Sequence, residues 1–369
     1  MIEVREVASR AARVEFVDFP YRKYRTHPYW VPPLRLTERE RFDRQKSPFL
    51  EHADMGLFLA VSDGVTVGRI AAIDDRNHEA RHHDNLGAFG FFEANSEPAA
   101  HALLHAAEAW VRTHGRTAIR GPLNPSLNES AGLLIDGFDD PPLLLMPYNP
   151  PEYADYLAAS GYGKVKDLYA WIYDLGPHNA RVAELAERVK RRHQVVVRPI
   201  EVGRMEEEIK NFLEIYAQAW QHNWGFVAPT ARESAHFASE LKQILDPNFV
   251  LCCEVHGVRA GCIAAVPDLN QVLKGTDGRL FPSGLIRFLF RRRLIDQGRL
   301  FLLGVLPEYQ GLGLLPLMVH ELAQRASGRA YRRVEFSWVL EDNVDINQPA
   351  EQAGAKRYKT YRIFQKALS

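Results

Sequence analysis

Net charge is the first thing this chain lacks. Its 369 residues carry 46 Lys and Arg against 46 Asp and Glu. No global field draws it onto DNA, RNA or an acidic membrane, so any site for a charged ligand must be local. Cysteine is scarce as well: Cys252, Cys253 and Cys262 are the whole set, two of them adjacent, with no CxxC spacing for zinc. That usage fits a reduced compartment. No run of about 18 apolar residues occurs, and "MIEVREVASR" at the amino terminus places charges where a signal peptide needs apolar side chains. A cytoplasmic location is expected, with neither metal nor nucleic acid among the ligands.

What the sequence does have is length for two domains and an internal repeat. "VSDGVTVGRIAAIDD" (61 to 75) lines up with "EVHGVRAGCIAAVPD" (254 to 268) at a shift of 193. The same shift carries Arg5 to Arg198 and Gly161 to Gly354. Between those anchors the second copy has extra residues around 269 to 298, and the first has a compensating insertion around 122 to 145. The expected division is a first domain over 1–176, a linker helix over 177–194 and a second domain over 195–369.

Each copy mixes strand and helix periodicities. In the first, "LFLAVSDG" and "VTVGRIAAID" form a hairpin closed by Asp63-Gly64, and "NLGAFGFFEA" is a third strand. Ser96, Glu97 and Pro98 open a helix with capping chemistry, and Leu103, Leu104, Ala107, Trp110 and Val111 give it an apolar stripe before Gly115 stops it. "RTAIRG", the helix "PPEYADYLAAS" and the strand "LYAWIYDL" follow. The fold class is mixed α/β (α+β), each copy a twisted mixed sheet flanked by helices.

The second copy's crossover, "RLFLLGVLPEYQGLGLLPLMVHELAQRA", holds a strand, a turn with Gly311 and Gly313, and a helix with Leu314, Met318 and Leu322 on one face. Glycines let backbone approach a ligand, and a helix's first amides favour an anion. Pro316 falls in the first turn, where an amide hydrogen is not needed within the helix.

"GVLPEYQGLGLL" resembles the acyl-CoA loop of the GNAT superfamily, the GCN5-related N-acetyltransferases: Gln310, Gly311, Leu312, Gly313 and Leu314 fit the first five places, and Leu315 stands where the family has a small residue. "VEFSWVLEDN" is similar to the family's next strand, and Asn343 precedes Gly354 by 11 residues, as the family's post-strand Asn precedes its closing Gly. The whole chain thus resembles a tandem pair of GNAT domains, similar to a bacterial branch sharing "GPLNPSLNE", "GLLIDGFDDPP", "PYNPPEY" and "NWGFVAPT". The resemblance implies acetyl-CoA or a longer acyl-CoA on residues 310 to 315 and Asn343, with the thioester carbonyl on backbone at Gly304 and Val305. The first copy lacks the loop, and its Glu93 and Glu97 stand where phosphates would approach.

Acyl transfer to an amine also needs an acid and a base. The family's usual Tyr position is Ala350 here, and the usual Glu before the loop is absent. Substitutes are Tyr358 or Tyr361 for the acid and His222 or Glu341 for the base, although alternating strand tyrosines are as readily structural. Without any of them the chain would work by proximity, or be a non-catalytic acyl-CoA or small-molecule binding protein, or a scaffold. Asn124, Asn128 and Glu129, in the long polar connection 121 to 142, are candidates to touch substrate, with a clamp between domains the equal alternative; Trp224 is a further candidate, as readily a core residue. His101, His105 and Glu108 share a helix face that reads as solvated, and "RNHEARHHD" reads as a polar loop. The insertion "FPSGLIRFLFRRRLIDQGR" (281 to 299) has three functional readings: lying on a membrane lipid surface, lining an acyl tunnel, or holding the CoA 3'-phosphate. A helix packed on its own domain explains it equally. The amine acceptor is open, with a sphingoid-type lipid amine among the options.

Overall fold

The computed structural model describes residues 1–176, 180–329 and 331–368. In the first half the strands are β1 (Ile2–Glu6), β2 (Ala53–Ser62), β3 (Val65–Asp75), β4 (Leu86–Ala94), β5 (Ala118–Gly121), β6 (Leu133–Asp136) and β7 (Gly163–Asp174). In the second they are β8 (Val195–Pro199), β9 (Val250–Val255), β10 (Val258–Pro267), β11 (Gln297–Val305), β12 (Arg333–Leu340) and β13 (Lys356–Ala367).

The repeat in the sequence is a repeat in space. The shift of 193 maps β1 onto β8, β3 onto β10 and β7 onto β13. Both hairpins turn on two residues with positive φ, Asp63 (51°) and Gly64 (78°) in one copy, His256 (51°) and Gly257 (76°) in the other, the pattern a tight turn needs to follow strand twist. The second copy's extra residues form short helices at Ser283–Leu289 and Arg291–Leu294. The first copy's insertion supplies β6, which pairs with β13.

All the described strands join one sheet, in the order β1-β2-β3-β4-β5-β13-β7-β12-β11-β10-β9-β8, with β6 off this path beside β13. The two last strands have changed places. β13 lies beside β5, with Phe364 opposite Gly121, and β7 lies beside β12, with Tyr173 opposite Val334. Each copy's sheet is completed by the other copy's final strand. Across this centre Arg362 forms a two-point ion pair with Asp167, at 2.7 and 2.9 Å.

Helices cover the sheet where the apolar stripes direct them. Leu103, Leu104, Ala107 and Val111 of the helix Glu97–Thr113 are buried against β2, β3 and β4. Ser96 makes no side-chain capping bond there, so Glu97 and Pro98 in the first turn are what remain of the expected start signal. Leu314, Leu317, Met318 and Leu322 of the helix Leu314–Ser327 fill the matching place in the second copy. The helix Ala180–His193 adds Ala186 and Val189 to that second core.

Two local expectations change. "RNHEARHHD" holds the helix Arg76–His82, because Asp75 accepts from the Asn77 amide at 2.9 Å as N-cap and His83, at φ 51°, ends it. The face of His101 and Glu108 is not wholly solvated: Glu108 is buried and accepts from Lys366 Nζ at 2.8 Å.

Candidate active site

Neighbouring parallel strands β11 and β12 pair only from Gln297 to Leu300 against Arg333 to Phe336, then diverge. The wedge they open is a cavity of about 210 Å³. Phe301 and Leu302 of β11 line one side and Ser337, Trp338 and Leu340 of β12 the other, under Tyr216, Trp220 and Trp224. Trp220 donates its indole N–H to the Leu303 carbonyl at 2.9 Å in the diverging segment. The walls are largely apolar. The loop after β5 closes one end, bringing Asn128 and Glu129 from the first half into a cavity of the second.

Glu129 is the chemically distinctive group. Its Oε2 lies 3.0 Å from Arg41 Nη1, and Glu40, Glu233 and Glu240 line the same cavity. Its side chain keeps 36% exposure, and desolvation at the cavity wall pushes its carboxyl up to about 7 against the pull of Arg41, with Glu240 and Glu233 adding to the rise. A carboxyl poised there can hold an ammonium ion when charged and accept its proton.

The glycine loop begins directly beyond the wedge. Gly311 and Gly313 both have φ 79°, and Gly313 caps the helix Leu314–Ser327, whose first turn holds no acidic residue. Among the described residues, none of the amides of residues 311 to 315 donates to a protein acceptor. A Cβ on Gly313 would meet Val189 Cγ2 at 3.2 Å, so the preceding helix is packed close on the loop. Pro316 lies inside the first turn without breaking the helix. Free amides, two left-handed glycines and a helix N-terminus together suit a phosphate-bearing ligand.

At the corresponding place in the first copy, Phe91, Phe92 and Glu93 of β4 and Asn124 after β5 border a separate opening with a different lining. Phe91 donates its amide to Asn124 Oδ1 at 2.5 Å, and a Cβ on Gly90 would strike the Leu123 carbonyl at 1.6 Å. Glu93 sits opposite Arg69, whereas the equivalent pair in the second copy is Gly304 opposite Cys262. Glu93 is buried and accepts hydroxyl hydrogen bonds from Tyr24 and Tyr153. The first copy thus places a carboxylate where the second has Gly304, and its Phe91 amide is already bonded.

Among the sequence candidates, Asn128, Glu129 and Trp224 line the cavity; Asn124 lines an adjoining opening. Asn128 donates to the Val227 carbonyl at 2.9 Å, and the Arg120 guanidinium lies 4.9 Å from the centre of the Trp224 ring. Gly304 and Val305 end β11, paired with Cys262 and Gly261. Asn343 stands at the N-cap of the helix Val344–Gln352, with no side-chain capping bond.

His222, Glu341, Tyr358 and Tyr361 are not among the residues lining the cavity. His222 is exposed, and Glu341 accepts from Lys164 Nζ at 2.6 Å and the Asp167 amide at 3.0 Å. Tyr358 donates its hydroxyl to Glu335, while the Tyr361 hydroxyl is buried with no partner among the described residues. Burial and the Glu335 carboxylate hold both phenols well above their ordinary value, which makes them reluctant to release a proton.

Sequence reasoning missed the floor beneath the wedge. Glu335 is fully buried on β12 and accepts from the Ser337 hydroxyl, with Arg299 Nε 3.5 Å away. Arg299 also donates to Ser337 Oγ at 2.7 Å and to the Leu144 carbonyl at 3.0 Å, and its guanidinium lies 5.3 Å from the centre of the Trp338 ring. The available signal was an acidic residue alternating with apolar ones in "VEFSWVL".

A doubled mixed sheet whose second copy has an open wedge followed by a glycine turn and helix defines a tandem GNAT acyltransferase. The comparisons agree. No family model matches the chain. The chain is 35% identical over 378 residues to the bacterial ceramide synthase of Caulobacter vibrioides, covering 100% of this chain and 98% of that protein. It is 34% identical over 363 residues to protein YghO of Escherichia coli, covering 96% and 92%. Among solved structures, the tandem GNAT protein from the clavulanic acid biosynthesis pathway matches 100% of this chain and 98% of that one, with a TM-score of 0.56 at 14% identity. The chain belongs to the bacterial tandem GNAT N-acyltransferases.

Proposed function

We propose that this N-acyltransferase takes its acyl group from acyl-CoA and delivers it to the amine of a long-chain, lipid-like acceptor. One observation carries the reading: the wedge cavity joins apolar walls to a carboxylate, Glu129, whose carboxyl is pushed to about 7. Apolar walls suit hydrocarbon, and a carboxylate-rich end suits a cationic headgroup. The name of the Caulobacter vibrioides relative, ceramide synthase, is consistent with a sphingoid-type acceptor.

In this reading the amides of residues 311 to 315 hold the pyrophosphate, and the backbone at Gly304 and Val305 orients the thioester. Glu129, as carboxylate, takes a proton from the bound ammonium group and passes it to water. The neutral amine attacks the thioester carbonyl; a C–N bond forms and the C–S bond breaks. The second amine proton goes to the departing thiolate. Because acyl-CoA is a cytoplasmic metabolite, the reaction belongs on the cytoplasmic side.

The test is a mass-spectrometric product assay with acyl-CoAs of graded chain length against long-chain amino alcohols, polyamines and amino acids. Amide formed only with the long-chain amines supports the proposal. Preference for short polar amines, or no thermal stabilisation by any acyl-CoA at about 100 times a plausible Kd, where about 2.7 kcal/mol is expected, would sink it.

A further inference from the structure

The insertion in the second copy carries an exposed apolar surface that no other described part of the chain covers. Phe281, Ile286, Leu289 and Phe290 are 77%, 58%, 67% and 54% exposed, in a segment of two short helices. Leu285 and Leu294 are exposed beside them. A monomeric protein rarely leaves so many large apolar side chains in one patch without a partner. The opposite face of the same segment is anchored: Arg287 donates to the Val272 carbonyl at 2.8 Å and the Gln271 carbonyl at 3.0 Å, and Phe288 packs into a buried cluster. The outward face is therefore held in place rather than left over from loose packing.

Charge indicates what covers it. Residues 274 to 294 contain six Lys and Arg and one acidic residue, in a chain whose formal net charge is zero. Lys274, Arg279 and Arg293 are exposed around the patch. Apolar side chains ringed by cations match a bilayer with anionic headgroups, where the apolar residues enter the acyl boundary and the cations meet phosphate.

The patch also borders an entrance. A second opening, of about 730 Å³, is bounded by Leu36 and Leu280 near the patch. Leu36 is itself 68% exposed, and its helix is tied to the insertion by Arg35, which pairs with Asp277 at 2.9 Å. Thr37, Glu40, Arg41, Leu145, His236 and Glu240 line both this opening and the wedge cavity. The second opening thus adjoins the wedge cavity across a mostly polar border, in which Leu145 is the apolar member, and leads from the exposed surface toward the carboxylates around Glu129.

We propose that the segment 280–294 docks the enzyme on an anionic membrane surface, so that a lipid amine enters from the bilayer through the opening beside Leu36 and Leu280. The path rests on the lipid-amine reading above; the docking surface stands on exposure and charge alone.

Vesicle co-sedimentation separates the two. The full-length protein is mixed with vesicles of phosphatidylcholine alone or with one-third phosphatidylglycerol. Binding at least about tenfold stronger to the anionic vesicles is expected, falling at least about tenfold in the F281S/I286S/L289S/F290S variant and in R279E/R293E. Both variants should keep wild-type circular dichroism and wild-type turnover of a detergent-dispersed amine while losing turnover of the amine in vesicles. Failure of the wild type to bind anionic vesicles, or variants that bind as wild type, overturns the proposal even if the acyltransferase reading survives. So does sedimentation equilibrium showing a wild-type dimer that the F281S/I286S/L289S/F290S variant makes monomeric, since a second copy would then be the occupant.

Discussion

Arg41 Nη1 lies 3.0 Å from Glu129 Oε2, so two segments of the first half meet as an ion pair in a cavity whose opposite walls are strands of the second. The first half has no glycine loop, but it completes the second half's site.

Replacing Glu129 should therefore cost the reaction more than the fold. E129Q is expected to lower kcat by about 10² to 10⁴, the usual range for losing a general base. The base must be ionised, so wild-type kcat/KM should fall as pH drops through about 7, and E129Q should lose that limb. R41M, which removes the cation holding Glu129 down, should move the limb to higher pH. A pH profile of E129Q that keeps the wild-type limb would exclude Glu129 as the titrating group.

Gly313 combines φ 79° with the close approach of Val189. G313V should weaken acyl-CoA binding by more than about tenfold and cost about 1–2 kcal/mol of stability, since a β-branched residue tolerates neither the dihedral nor the contact. Calorimetric titration with acyl-CoA checks the first effect and urea unfolding the second.

His52 links the halves: Nδ1 lies 2.9 Å from Asp75 Oδ1 and Nε2 lies 3.1 Å from Glu233 Oε1. Burial opposes its charge, but the hydrogen bond to Asp75 and the nearby Glu233 carboxylate win and raise its pKa to about 9. The native state thus holds this proton more tightly than the unfolded chain does. The stabilisation, on the order of 2–3 kcal/mol, is complete below about pH 6.5 and is lost as pH rises through about 9. Urea midpoints for wild type and H52A should differ most near pH 6 and converge near pH 10; equal gaps at both would refute the linkage.

Arg299 and Glu335 are both buried beneath the wedge. R299M strands the carboxylate and should destabilise the protein by about 3–5 kcal/mol, with R299M/E335Q recovering part of the loss. Denaturant titration of the two variants decides it: a double variant no better than the single would mean that the carboxylate's charge is not the cause.

Local periodicity and turn chemistry made most of the fold legible. The shift of 193, the Asp63-Gly64 turn and the stripe through Leu103 and Val111 each specify neighbours close in sequence. The exchange of β7 and β13 was invisible, because both strands offer similar faces and only long-range pairing chooses between β5 and β12. The site divides the same way. Gly311 and Gly313 announce themselves by conformation, and Glu129 stood out as polar in a long connection. Trp338, Phe301 and Arg41 look like ordinary core or surface residues until β11 and β12 diverge and make a wall of them.

The exchanged strands also set an order of assembly during translation. A ribosome that has finished residue 174 has made β7, but not the β13 that must sit between it and β5. The first half must wait, its sheet interrupted, for almost two hundred further residues, and strands that wait with open edges are where nascent chains find wrong partners. Loss of the last strand would thus leave two damaged halves, and a gene that once held two copies can no longer discard either.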